Sequence, residues 1–120
     1  MKANELRIGN WVMGDLKKPY QFELSDFSDW YNEHNSHEFG NYIYPIPLTE
    51  EWLLKFGFEY DTITYYKNEL MLSINKGYYN VWYHTLTHGR LFIEMKYVHQ
   101  LQNLYFALTG EELTIHEIKD

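Results

Sequence analysis

The chain has 120 residues, 45% of them apolar and 19% aromatic, with ten Lys and Arg against seventeen Asp and Glu, and no cysteine. A formal charge of −7 argues against a lasting grip on nucleic-acid phosphates, which needs clustered cations, and here only Lys17-Lys18 are adjacent. The missing cysteines remove disulfides, thiolate catalysis and Cys-based zinc sites together. The length suits one compact domain over residues 1–120 with a core of its own. Twelve Tyr, seven Phe and four Trp favour strand-rich structure, because rings pack well on a pleated, half-buried surface.

Leu6–Met13 reads as a first strand, with Leu6 and Ile8 alternating and Gly9-Asn10 marking a bulge or close backbone approach. Gly14-Asp15 is a turn signal, and a second strand follows at Tyr20–Leu24, with Tyr20, Phe22 and Leu24 on one face. Ser25-Asp26 has the chemistry to cap a short helical turn holding Phe27, Trp30 and Tyr31. Asn32–Asn41 has the polarity of an exposed loop. Tyr42–Ile46 is an extended connector, held so by Pro45 and Pro47. Thr49 is an N-cap, Glu50 and Glu51 suit the first helical turn, and Trp52, Leu53 and Phe56 form an apolar stripe that Gly57 terminates.

Three β-rich runs come next, Thr62–Tyr66, Glu69–Ile74 and Tyr78–His84. Lys67-Asn68 and Asn75-Lys76-Gly77 separate them, which predicts an antiparallel meander. Arg90–Met95 is a candidate fourth strand. Tyr97–Leu108 is the clearest helix, stopped by Thr109-Gly110. Leu101, Leu104 and Leu108 are expected to face the meander, on the same core as Trp52 and Phe56. The fold class expected is α+β, with a β unit over residues 1–44 followed by helix, meander and helix over 45–120.

Three stretches carry a resemblance: Lys2–Asn10, Pro45–Phe58 (Pro-Ile-Pro-Leu-Thr-Glu-Glu-Trp-Leu-Leu-Lys-Phe-Gly-Phe) and Tyr97–Ile115. They resemble a family of small, uncharacterised proteins from gut anaerobes and the phages and mobile elements they carry. The match spans a third to a half of the chain and has no counterpart for Asn32–Asn41. It implies a phage or mobile-element accessory protein with a two-part layout, and no site residue is carried over. The Leu-Arg-Ile-Gly-Asn-Trp-Val start looks like that of a small SH3-like barrel, which is fold analogy and does not imply function.

Candidate chemistry is sparse. His34 and His37, beside Glu33 and Glu38, could meet His84 and His88 around an ion only if two separate loops meet. Solvated loop histidines are the simpler reading, and neither a metal nor a cofactor is expected. His99 reads as a polar-edge or cap residue. Glu50-Glu51 and Glu111-Glu112 are adjacent pairs that point apart and make no acid/base dyad. No serine sits in a nucleophile elbow and no glycine-rich loop could cradle phosphate, so no enzyme is expected.

The leading expectation is a non-enzymatic protein that binds a protein partner through an aromatic, acidic surface. Trp30 and Tyr31 would be anchors, with His34, His37 and Glu38 supplying hydrogen bonds. The alternative is a small-molecule or nucleotide-binding module, with counter-defence as a setting, stacking its ligand on Trp30, Tyr31 or Tyr83. A duplex-mimicking acidic inhibitor is weaker, because −7 is mild for that role. With no signal-peptide run and no membrane-length apolar stretch, the chain is expected to be soluble and cytoplasmic.

Overall fold

A computed structural model describes residues 5–14, 18–23, 43–62, 64–68, 70–75, 78–85 and 89–115. These form an α+β fold with two antiparallel sheets and two helices. The contacts divide it into two units. One comprises Met1–Pro47 with Tyr97–Gly110, the other Leu48–Lys96 with Glu111–Asp120.

In the first unit, three short strands, β1 (Trp11–Met13), β2 (Pro19–Gln21) and β3 (Tyr44–Pro45), pair antiparallel in the order β2-β1-β3. Proline gives no ladder N–H, so Pro19 and Pro45 are tolerated because both lie on edge strands. Val12 pairs with Tyr20 on one side and Pro45 on the other. Its side chain is buried with Leu6, Phe22 and Ile43, and Tyr20 packs against this cluster.

The expected strand over Leu6–Met13 is shorter than its pattern. Asn10 N–H donates to Arg7 O, closing a turn with Gly9 at φ +96°, as a type II turn demands at its third position. Ile8 stands at the corner and is 54% exposed, so its alternation with Leu6 is a turn property and not a strand face. The Tyr42–Ile46 connector, in turn, contributes a strand.

Helix α2 (Val98–Thr109) groups with this unit. Tyr97 N–H donates to Gln100 Oε1 at its start, and Gly110 at φ +75° ends it. Val98, His99, Leu101, Gln102 and Tyr105 are buried, while Leu104 and Leu108 are only partly so. The buried face is rotated from the expected leucine stripe because two amides are drawn inward. Gln102 Oε1 accepts from Trp11 N–H at 2.7 Å and its Nε2 donates to Gly9 O at 3.1 Å. Asn103 Oδ1 accepts from Arg7 Nε and Asn10 Nδ2, both at 2.8 Å, and its Nδ2 donates to Glu5 O. Arg7 also donates to Gln102 O and lies over the Phe106 ring, 4.4 Å from its centre.

The second unit starts with helix α1 (Glu50–Lys55), capped by Thr49 Oγ1. Its end is a Schellman motif: Phe58 N–H donates to Leu53 O and Gly57 N–H to Leu54 O, with Gly57 at φ +87°. Five strands follow in sequential order: β4 (Glu59–Asp61), β5 (Thr64–Lys67), β6 (Leu70–Asn75), β7 (Tyr78–Thr85) and β8 (Gly89–Met95). The meander is as expected, with β4 in addition. Glu59-Tyr60-Asp61 hides from pattern reading because a fully exposed edge strand has no apolar alternation. Tyr65, Leu70, Leu72, Tyr79, Val81 and Met95, at alternate positions, are buried. Lys67 Nζ donates to Phe56 O and ties β5 to the end of α1.

Leu101→Ala is expected to cost about 2–5 kcal/mol, since the side chain is fully buried. Leu104→Ala should cost clearly less. Urea midpoints of the two variants measure the difference, and equal losses would contradict the helix face described.

Candidate functional site

The β4–β5 hairpin builds a concavity among the described residues. Asp61 pairs with Thr64, leaving two residues for the turn, and Thr62 takes φ +52°. Two-residue hairpins favour positive φ, which suits Gly or Asn and burdens a β-branched residue. The Tyr60 hydroxyl donates to Thr62 O, bracing that turn. Tyr60 faces Tyr65 across the pair, with ring centres 4.7 Å apart and planes tilted by 37°. Glu50, the first residue of α1, sits where the helix dipole favours a carboxylate.

Glu50, Tyr60, Thr62, Tyr65 and Ile74 line a cavity of about 440 Å³, within the range of small-ligand sites. Tyr65 is buried and hydrogen-bonds the Glu50 carboxylate. Burial first, and that carboxylate second, hold its phenol well above the ordinary tyrosine range. Tyr79 is raised in the same sense, by burial and then by the charge of Glu50. Both shifts favour the neutral phenol, and the Tyr65 hydroxyl is held by the Glu50 carboxylate. Ile74 and Tyr60, 69% and 54% exposed, form the outer lip.

The other set of alternate strand positions makes a second feature. Tyr66 is paired with Glu59 on β4 and Met71 on β6, and Met71 with Trp82 on β7. None of Tyr66, Met71, Ser73, Tyr78, Asn80 and Trp82 is buried. The Glu59 carboxylate accepts a hydrogen bond from the Tyr66 hydroxyl and raises its pKa. Glu59, Asp61 and Glu94 are exposed around this face.

Of the residues singled out from sequence, Trp30, Tyr31, His34, His37 and Glu38 lie outside the described residues, as does His88. Tyr83 is a β7 position paired with Leu70 and Leu91, in the same alternate series as Tyr79 and Val81. His84 pairs with Arg90 in the backbone ladder. Among the described residues no three His, Asp or Glu side chains cluster to hold a metal ion. The cavity residues went unnoticed because Glu50 comes from a helix and the tyrosines from strands. The one available signal was the Tyr65-Tyr66 doublet, which must serve both faces of a strand.

His99 differs from its expected place at a polar edge: it is 1% exposed. Neither ring nitrogen has a hydrogen-bond partner among the described residues, and Nε2 lies 3.9 Å from Glu5 Oε1. The imidazole stacks on the Tyr97 ring at 5.9 Å. Burial lowers its pKa from 6.5, and the Glu5 carboxylate works in the opposite sense.

Comparison of the chain with known protein families, with curated proteins and with solved structures gives no match. Among the described residues no helix is long and apolar enough to cross a membrane.

Two outcomes are expected. Thr62→Asn should raise stability by roughly 0.5–1 kcal/mol, since asparagine tolerates the left-handed region at lower cost; a lowered melting temperature would contradict the strain. Because the His99 pKa is depressed in the fold, the unfolded chain takes up the proton first as pH falls. That stabilisation is complete above pH 6.5 and declines below it. Urea midpoints measured down to about pH 5 should fall in the wild type and fall less in His99→Leu.

Proposed function

We propose that this chain is a non-enzymatic accessory protein of a phage or mobile element, and that it binds a protein partner through the open face of the five-stranded sheet. The observation that carries the reading is the row Tyr66, Met71 and Trp82 at directly paired positions of β5, β6 and β7, with Tyr78 on the same side four residues along β7, none of them buried. Aromatic residues and methionine are the types enriched at protein interfaces. Tyr66 and Trp82 are the proposed anchors. Glu59, Asp61 and Glu94 give the surroundings a negative sign, which favours a basic partner and disfavours nucleic acid. The phage or mobile-element setting rests on the resemblance in Lys2–Asn10, Pro45–Phe58 and Tyr97–Ile115. The SH3-like reading of the N-terminal β unit belongs to the same proposal, supported by the antiparallel order β2-β1-β3. The cavity tyrosines already have hydrogen-bond partners, Tyr60 in Thr62 O and Tyr65 in the Glu50 carboxylate, which supports binding over catalysis.

The test compares three baits in a host lysate: wild type, Tyr66→Ala/Trp82→Ala, and Trp30→Ala/Tyr31→Ala. The expected result is a partner captured by the wild type, lost with the sheet-face variant and retained by the third bait. Thermal melts establish that each bait is folded. Undiminished capture by the sheet-face variant overturns this assignment, and loss confined to Trp30→Ala/Tyr31→Ala moves the site to that segment.

A further inference from the structure

The cavity under the β4–β5 hairpin has a chemistry distinct from that of the open sheet face. Tyr65, which lines it, and Tyr66, which lies on the open face, are consecutive and so project to opposite sides of β5. Among its described lining residues the only formal charge is the Glu50 carboxylate. One of its hydrogen bonds is from the Tyr65 hydroxyl, which fixes the carboxylate beside the Tyr60–Tyr65 ring pair. The remaining wall is the exposed side chain of Ile74 and the Thr62 turn.

This combination sorts ligand classes by sign and by hydration. A phosphate or carboxylate would meet Glu50 with no Lys or Arg among the described lining residues to offset it. A hard metal ion needs several oxygen ligands in addition to one carboxylate. A neutral apolar molecule would gain from Tyr60, Tyr65 and Ile74 but would have to desolvate Glu50 without compensation. An organic cation meets every wall: its charge faces the carboxylate and the negative faces of aromatic rings, and its carbon atoms face Ile74. The volume of about 440 Å³ exceeds what a single ammonium or guanidinium head needs, leaving room for an attached chain.

We infer that the cavity formed by Glu50, Tyr60, Thr62, Tyr65 and Ile74 binds an organic cation, an alkylated ammonium or a guanidinium group. The cation has two sources, a free amine or the side chain of a partner protein, and the chemistry is shared. The strained Thr62 turn fits this role, because a residue held at φ +52° sets the position of the Tyr60 ring at the lip. Backbone outliers of this kind are often retained where they shape a binding site.

The test titrates the full chain by calorimetry with choline and agmatine as free cations. N-acetyl-trimethyllysine amide and N-acetyl-arginine amide serve as capped side chains, and 3,3-dimethyl-1-butanol is the neutral isostere of choline. Saturable binding of at least one cation is expected, with the neutral isostere weaker by about fivefold or more. Glu50→Gln should weaken the cation by a similar factor. Ile74→Lys, at an exposed position that leaves the core untouched, should abolish binding by placing a competing charge at the lip. Preference for the capped residues assigns the cation to a partner's side chain, and preference for choline or agmatine assigns it to a free amine. The inference is overturned if none of the four cations binds saturably, if the neutral isostere binds equally well, or if Ile74→Lys binds like the wild type. These variants leave Tyr66 and Trp82 intact, so failure here is separate from failure of partner capture on the open face.

Discussion

Two adjacent amides, Gln102 and Asn103, hold the N-terminal unit together. Residues 5–10 precede the first strand, and beyond the bonds of Gly9 and Asn10 to Phe22 and the Arg7–Asn10 turn their backbone groups need other partners. The two side chains meet Glu5 O, Gly9 O and Trp11 N–H, and Asn103 also meets the side chains of Arg7 and Asn10. Asn10 is fully buried and its side chain is satisfied by Arg7 N–H and Asn103. A buried amide network is stabilising only when complete, because each unmet group retains its desolvation cost. Once residues 5–11 are fixed, Trp11–Met13 is placed, and β1 is the central strand on which β2 and β3 depend. A three-residue strand has too little ladder to set its own position.

What could be read from the sequence was local. The Thr49 cap, the Leu-Leu-Lys-Phe-Gly-Phe ending of α1 and Gly110 after α2 are each decided by a few neighbouring residues, and each is found as read. The meander followed from alternation at Leu70, Leu72 and Ile74 with turn residues between the runs. The misses share a cause: a distant partner overrides the local pattern. Gln102 and His99 are buried on a helix where Leu104 and Leu108 had the more apolar claim, because residues 5–11 draw Gln102 inward. Ile8 mimics a strand position while standing at a turn corner. Glu59–Asp61 has no apolar period at all, and only its pairing with Thr64–Tyr66 makes it a strand.

The candidate site was less legible than the fold for the same reason. Tyr65 and Tyr66 are chemically identical in the sequence, yet each has a glutamate partner on its own side of the sheet, Glu50 for one and Glu59 for the other. Strand alternation predicts that consecutive tyrosines diverge, but not that one will be buried against a helix residue and the other exposed beside a neighbouring strand. The two sides thereby acquire different capacities. One is a small concavity with a single charge among its described residues, the other a broad, half-exposed stretch of rings and methionine.

The hydrogen bonds between residues 5–11 and α2 join positions 91 to 98 apart in the chain. A unit closed by such distant contacts cannot assemble in the order in which it is synthesised. The sequential hairpins of Glu59–Met95, by contrast, need only neighbouring partners. Residues 5–11 must wait for these partners until Tyr97–Gly110 has left the ribosome. Loop closure over that distance is entropically demanding and slow compared with hairpin formation. The contacts that close residues 5–11, among the first made, are therefore available only late in synthesis, and a nascent chain stalled before α2 would lack all of them.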